Sequence, residues 1–191
     1  QSRSSAASDV YKRQKEGDGP LGKLFDVVEQ DPMLGQETWE EAESLLQKEA
    51  IQKLLFKAGM SKEEIRYIFG GDLLGQLIAT TFGILEFEVP FFGLYGACST
   101  IGEALSLGAV MVEAGNADNV IAMASSHFAS AERQFRFPLA YGNQRPYAAT
   151  WTVTGCGAVI ISTKKGFAKI TGITTGKIID FGVKDAQNMG A

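Results

Sequence analysis

One cysteine lies where a predicted strand passes into a predicted helix. The apolar run 90–94 leads into Cys98, and the helix-patterned run 103–113 follows it. Backbone N–H groups and the helix dipole favour negative charge at such a position, so it can activate a thiol and hold an oxyanion. The same kind of turn can instead bind a carboxylate. Cys98 is therefore a candidate nucleophile or the wall of an anion site, and its third interpretation is a small buried side chain.

Two more polar side chains follow predicted strands. Asp72 comes after Gly70 and Gly71, ahead of a predicted helix at 73–82. It is either an N-cap or a pocket residue at the carboxyl edge of a sheet. His127, the only histidine, follows a predicted strand at 119–124 and is either structural or a partner for Cys98 or an anion. We expect all three to line one pocket, with no metal and no cofactor, since one histidine cannot build a multi-histidine metal site.

A polar stretch with three arginines comes next. Arg133, Arg136 and Arg145 alternate with Glu, Gln, Asn and aromatic residues. Guanidinium groups pair with carboxylates in a bidentate way and stack on flat rings, so this composition favours a planar anion. A loop held by Arg–Glu pairs, or an oligomer interface, is the alternative.

The surrounding pattern is α/β in its first two thirds and rich in β-formers afterwards. Thr38 and Glu41 form a capping box ahead of a helix that Gly59 ends, and Ser61 with Glu64 repeats the box. The buried face of that helix should carry Trp39, Ala42, Leu45, Leu46, Ile51, Leu54, Leu55 and Ala58. Strands are predicted at 65–69, 89–95, 119–124, 151–162, 167–174 and 177–181, and a helix is predicted to follow Cys98 and to end near Gly115. Cys156 should pack in the core.

Composition excludes several classes of protein. The chain has 191 residues, of which 45% are hydrophobic, and this is enough to build one core. Its net charge of −4 gives no reason to expect nucleic-acid binding. Two cysteines on different elements predict a reducing compartment without a disulfide framework. No apolar run reaches the ~20 residues of a membrane-spanning helix. We also expect no signal peptide.

The N-terminus has an unusual origin. Residues 9–14 match the translation of a transposon adapter used in DNA sequencing, so we interpret residues 1–14 as a disordered artefact. Residues 15–191 then form an incomplete domain, and the end of the chain at 181–191, without a terminal helix, agrees with a fragment.

Several motifs together resemble a known family. Residues 93–100 resemble the nucleophile turn of the thiolase superfamily. The longer combination is similar to the stage V sporulation protein AD family of endospore-forming bacteria, from about residue 15 to residue 191; its motifs lie at 18–22, 71–74, 125–127, 131–138, 141–144 and 151–155. The resemblance implies a thiolase-like fold of two similar α/β halves, each with a sheet layered between helices. This chain would hold most of the first half and the start of the second.

The resemblance also implies a ligand and partners. Members of the family are implicated in moving dipicolinic acid into the developing spore, with membrane-embedded proteins of the same operon. We therefore expect a homodimer when the protein is complete, on the cytoplasmic side of the inner spore membrane. The ligand is a flat ring with two carboxylates, bound as the free acid or as a calcium chelate. It suits the anion-binding turn and the arginine stretch.

Three functions follow from these residues. The first is dipicolinate binding without turnover, with a site drawn from Asp72, Cys98, His127, Arg133, Arg136 and Arg145. The second is an acyltransferase or condensing enzyme, because Cys98 falls on the position of the thiolase nucleophile. The histidines or second cysteine that catalytic members need would lie in the other half, so the sequence does not argue for turnover. The third is a structural subunit whose arginines dock a partner or the opposite protomer.

Overall fold

Strands from distant parts of the chain form a single mixed sheet. The computed structural model describes residues 8–13, 17–73, 77–131, 152–166, 168–182 and 184. Within them the strand order is β2-β1-β6-β5-β3-β4. The strands are β1 (Ser8–Arg13), β2 (Val27–Glu29), β3 (Tyr67–Asp72), β4 (Phe91–Gly93), β5 (Asn119–Ser126) and β6 (Gly155–Ser162). β3 pairs in parallel with β4 and β5, so the carboxyl ends of these three strands meet at one edge.

Helices cover both faces of the sheet. They are α1 (Trp39–Ala58), α2 (Ile78–Ile84), α3 (Thr100–Glu113) and the short α4 (Phe128–Ala131). On one face α1 packs its aliphatic side chains on Ile68, Ile121 and Ile160. On the other face α3 packs Ala104 and Val112 against Phe69 and Val120. The alternation of side chains along β3 and β5 therefore divides the core into an α1 side and an α3 side.

Local signals fix α1 as predicted. Thr38 Oγ1 accepts a hydrogen bond from Glu41 N at 3.2 Å, and Glu41 Oε2 accepts one from Thr38 N at 3.0 Å. Gly59 ends the helix in the left-handed conformation, with φ of 62°. Of the predicted face, Ala42, Leu46, Ile51, Leu54 and Leu55 are buried, whereas Trp39, Leu45 and Ala58 are partly exposed.

Two chain segments differ from prediction because pairing over a distance decides them. Residues 8–13, predicted to be disordered, form β1 between β2 and β6. The hydrogen bonds between strands join backbone groups rather than side chains. A segment that lies between two strands with unpaired edges can therefore form a strand with many different sequences. Residues 168–182, in which strands are predicted, form no strand or helix because β-propensity needs a partner strand, and they lie along α3 instead.

The remaining differences concern boundaries. β3 begins and ends later than the predicted 65–69, β4 is shorter than the predicted 89–95, and α2 starts at Ile78 rather than residue 73. Cys156 is buried in β6, which confirms its predicted core position. Among the described residues, no helix is long and apolar enough to cross a bilayer.

Candidate functional site

Cys98 lies at the turn that the sequence predicts. β4 ends at Gly93, a 3-10 turn covers Ala97–Ser99, and α3 starts at Thr100. Thr100 Oγ1 accepts a hydrogen bond from Gly96 N at 3.2 Å, and Ser99 Oγ donates one to Gly96 O at 2.8 Å. Ala97 has a φ of 49°, a conformation that is strained for a side chain other than glycine. The turn is thus closely held by its own bonds, and the Cys98 side chain on it is exposed.

A carboxylate of the chain itself lies over this turn. Glu103 Oε1 lies 2.5 Å from Ser99 Oγ, so it shares the single Ser99 hydroxyl hydrogen with Gly96 O. A Cβ atom placed on Gly96 would lie 2.2 Å from Glu103 Oε1, so glycine is what lets the carboxylate approach. Sequence reasoning missed Glu103, although an acidic residue in the first turn of a helix, four residues after a serine, is the signal that could have found it.

An open cleft of about 1080 Å³ borders Cys98. Its walls are the first two turns of α3 on one side and residues 170–178 on the other. Glu103 and Lys177 are the charged groups among its described lining residues. The cleft has the volume of a small-molecule site, and Lys177 is the cationic side chain among its described lining residues.

Asp72 has a structural role within the described residues. Its carboxylate is fully buried. Oδ1 accepts a hydrogen bond from Leu77 N at 3.2 Å, and Oδ2 accepts two from Thr80, from N at 3.1 Å and from Oγ1 at 2.7 Å. Asp72 therefore holds the first turn of α2, although the N-cap position itself is occupied by Leu77, five residues later in the chain. Its contacts are those of a structural residue, not of an N-cap as predicted.

His127 is also held in a structural role, by hydrogen bonds to the backbone. Its ring is 1% exposed and stacks on Phe128 at 5.2 Å between ring centres. Nδ1 accepts a hydrogen bond from Ala129 N at 3.3 Å, and this leaves Nε2 as the donor to Pro32 O at 2.8 Å. Both ring nitrogens bond to the backbone, which is the structural interpretation of this histidine.

The three predicted pocket residues share an edge but not a face. Asp72 pairs with Ser125 across β3 and β5. Asp72 comes four residues after Ile68, and Ser125 two residues after Met123, and both of these side chains pack under α1. His127 leads into α4, which bonds to α1 through Ser130. Cys98 precedes α3, on the opposite side of the sheet. The structure therefore does not bring Cys98 together with Asp72 or His127, because side chains alternate across a strand.

Arg133, Arg136 and Arg145 lie outside the described residues. The prediction that they contact the ligand stays a prediction.

A buried polar network under α1 is a feature that sequence reasoning missed. Ser125 Oγ donates to Glu43 Oε1 at 2.7 Å and accepts a hydrogen bond from Gln47 Nε2 at 2.6 Å. Burial raises the pKa of Glu43 from 4.5 to about 7. The hydrogen bond from Ser125 partly opposes this rise in pKa, whereas the negative charge of Asp72 increases it. Glu43 and Gln47 follow Trp39 at intervals of four along the predicted buried face, and that spacing was the available signal.

The fold defines the class of protein. The chain is similar to the priming β-ketosynthase of the R1128 polyketide pathway, at 19% identity and a TM-score of 0.55, over 84% of this chain and 49% of that one. It is likewise similar to 3-oxoacyl-[acyl-carrier-protein] synthase III of Aquifex aeolicus VF5, at 18% identity and a TM-score of 0.56, over 83% and 53% of the two chains. The fold is therefore thiolase-like, as the sequence predicts.

The sequence comparison identifies the family within that class. Residues 3–191 match the family described as stage V sporulation protein AD. The stage V sporulation protein AD of Bacillus subtilis (strain 168) is 42% identical over 177 residues, which are 93% of this chain and 52% of that protein. The chain belongs to the stage V sporulation protein AD family, a family of sporulation proteins, and spans about half the length of this curated relative.

Proposed function

We propose that the complete protein binds dipicolinic acid without turning it over and takes part in its uptake into the developing endospore. The match of residues 3–191 to the stage V sporulation protein AD family carries the proposal, since the resemblance implies this ligand. The cleft beside Cys98 supports it because it is open, of suitable size and bordered by the start of a helix.

The charges around the cleft refine the proposal. Dipicolinate carries two carboxylates, and Glu103 already places one negative charge at the start of α3. A dianion in this cleft therefore needs cationic groups besides the helix terminus. Lys177 is one such group on the described wall. We assign the others to Arg133, Arg136 and Arg145, because the composition of that stretch favours a planar anion.

The partners in this proposal follow from the same resemblance. The complete protein works as a homodimer at the cytoplasmic side of the inner spore membrane. It passes dipicolinate, free or as its calcium chelate, to membrane-embedded proteins of the same operon. Binding rather than chemistry is the step that this chain supplies.

Calorimetric titration of dipicolinate into the full-length protein tests the proposal. We expect saturable binding at one ligand per chain, weakened at least tenfold by Arg136→Ala, because a bidentate charge-assisted pair is lost. Arg66→Ala is the matched control, since Arg66 stacks over Tyr67 just before β3, at the opposite edge of the sheet. Repeating the titration with calcium distinguishes the free acid from the chelate. A folded protein that gives no saturable heat in either buffer contradicts the proposal.

A second candidate is an acyltransferase with Cys98 as its covalent nucleophile. The exposure of Cys98 at the start of α3 favours it, within a fold shared with two synthases. Incubation with a panel of acyl-CoA thioesters should then add one acyl mass to the protein and none to Cys98→Ser. Cys156 is buried and serves as an internal control for nonspecific acylation. An unchanged mass across the panel would exclude this candidate.

A further inference from the structure

A hydrogen-bonded network joins five elements, α1, α2, α4, β3 and β5, beneath the carboxyl edge of the sheet. On α1, Glu43 accepts from Ser125 at the end of β5 and from Ser130 of α4, with its Oε2 3.2 Å from Ser130 Oγ. One turn further along α1, Gln47 Nε2 donates to Ser125 Oγ at 2.6 Å and to Thr80 Oγ1 at 3.1 Å. The Thr80 hydroxyl in turn donates to Asp72. The network thus links the start of α4 to the start of α2.

The network has one acceptor too many. Glu43 and Gln47 are 2% and 0% exposed, and Gln47 Oε1 has no hydrogen-bond partner among the described groups. The hydroxyl hydrogens of Ser125 and Thr80 already point at the carboxylates of Glu43 and Asp72. Neither hydroxyl can donate to the amide oxygen as well. A buried polar atom without a partner is destabilising. The one hydrogen of the Ser130 hydroxyl likewise lies between two acceptors, Glu43 Oε2 and His127 O, so this end of the network lacks one hydrogen.

The charges that face Glu43 are of the same sign. Asp72 on β3 and Glu40 on α1 itself both disfavour its ionised form. The neighbouring side chain at the end of β5 is His127, whose ring nitrogens bond to the backbone of Pro32 and Ala129. From α2 and α4 the groups that enter the network are the hydroxyls of Thr80 and Ser130. The described residues show no ion pair from a lysine or arginine to Glu43.

We propose that Glu43 is a proton-binding switch that links the α4 end of the network to its α2 end. A proton from solvent on Oε2 of the carboxylate removes a buried charge and supplies the missing hydrogen. Glu43 then donates to Ser130 Oγ, and the Ser130 hydroxyl is free to donate to His127 O, while Ser125 keeps its bond to Glu43 Oε1. The ionised state keeps the repulsion between carboxylates and leaves one hydroxyl hydrogen for two acceptors, so it favours local opening. Its pKa of about 7 places the change near neutral pH.

Amide hydrogen exchange of the full-length protein, followed by mass spectrometry from pH 6 to pH 8, tests the switch. After correction for the intrinsic pH dependence of exchange, we expect protection at 77–80 and 127–131 to fall about tenfold over this interval. This factor follows from linked protonation, in which the Glu43 carboxyl has a pKa of about 7 in the closed network and of 4.5 once the network opens. Protection in the centre of β5 should stay constant.

Three variants make the test specific. Glu43→Gln keeps the shape and neutral charge of the protonated state, so both segments should stay protected at every pH. Glu49→Gln removes the same charge from the same helix and should keep the pH dependence. Ser130→Ala removes a hydrogen bond to the ionised carboxylate, so the transition should move to higher pH. Protection that does not change with pH in the unsubstituted protein, or the same pH dependence in Glu43→Gln, overturns the proposal.

Discussion

Replacement of Asp72 separates an anchoring role from a ligand-binding role. The buried carboxylate accepts three hydrogen bonds, one on Oδ1 and two on Oδ2. In Asp72→Asn the amide oxygen can keep the two bonds from Thr80, but the NH₂ group then faces the N–H of Leu77. One bond to a charged group is lost and two donors oppose each other, while repulsion with Glu43 is relieved. Together these changes should lower the free energy of unfolding by about 2 kcal/mol. Asp72→Ala loses all three bonds and should cost about 4 kcal/mol.

Urea unfolding of the full-length protein, followed by circular dichroism at pH 8, measures both values. The midpoint should fall while the dependence on urea concentration stays the same. Asp118→Asn is the control, because Asp118 is exposed just before β5 and its replacement should stay within ~0.5 kcal/mol. If Asp72→Asn unfolds at the same urea concentration as the unsubstituted protein but no longer binds dipicolinate, the reasoning from these contacts is refuted. Asp72 would then be a pocket residue.

Three further predictions concern stability and binding. Because burial raises the pKa of Glu43 from 4.5 to about 7, the stability linked to its protonation is fully present below pH 4.5 and lost as pH rises through 7. The loss is of order 3 kcal/mol, and thermal unfolding of Glu43→Gln should lack it. Gly70→Ala places a Cβ 2.2 Å from the carbonyl oxygen of Met123 on the neighbouring strand, so it should lower the unfolding free energy by about 3 kcal/mol, and unfolding at an unchanged urea concentration would contradict this. Cys98→Ala should leave dipicolinate affinity within about threefold in calorimetry, whereas complete loss in a folded variant would argue for an essential thiol.

Elements with local signals could be predicted from the sequence. The capping boxes of Thr38 and Ser61 and the left-handed Gly59 act within a few residues, so they identify the ends of α1 and the short turn at Lys62–Glu64. The turn that carries Cys98 was recognisable for the same reason. β1 and the segment 168–182 were not, because their conformation depends on whether a partner strand is available elsewhere in the chain.

The candidate site was predicted only in part, because residues at the carboxyl edge of a sheet can lie on either face of that sheet. The end of a strand could be read from the sequence for Asp72 and for His127, and both do lie at the carboxyl edge. Which face each side chain occupies depends on register and on the helix packed there, and these require the structure. Glu43 and Gln47 were missed for a related reason. Polar residues in an amphipathic helix are expected to face water, and only the hydroxyls of Ser125, Ser130 and Thr80 make their burial possible.

The thiolase-like fold does not bring the chemistry of its synthase relatives with it. At 18–19% identity those relatives show a shared fold alone. What decides between binding and acyl transfer is the electrostatic field at the start of α3. Here the Glu103 carboxylate lies over Gly96 and bonds to Ser99, so it opposes an oxyanion developing at the same turn. The proposed dianion can pair with Lys177 on the cleft wall, whereas a tetrahedral intermediate needs donors at the turn itself. This difference in local charge is the reason that the binding proposal ranks ahead of acyl transfer.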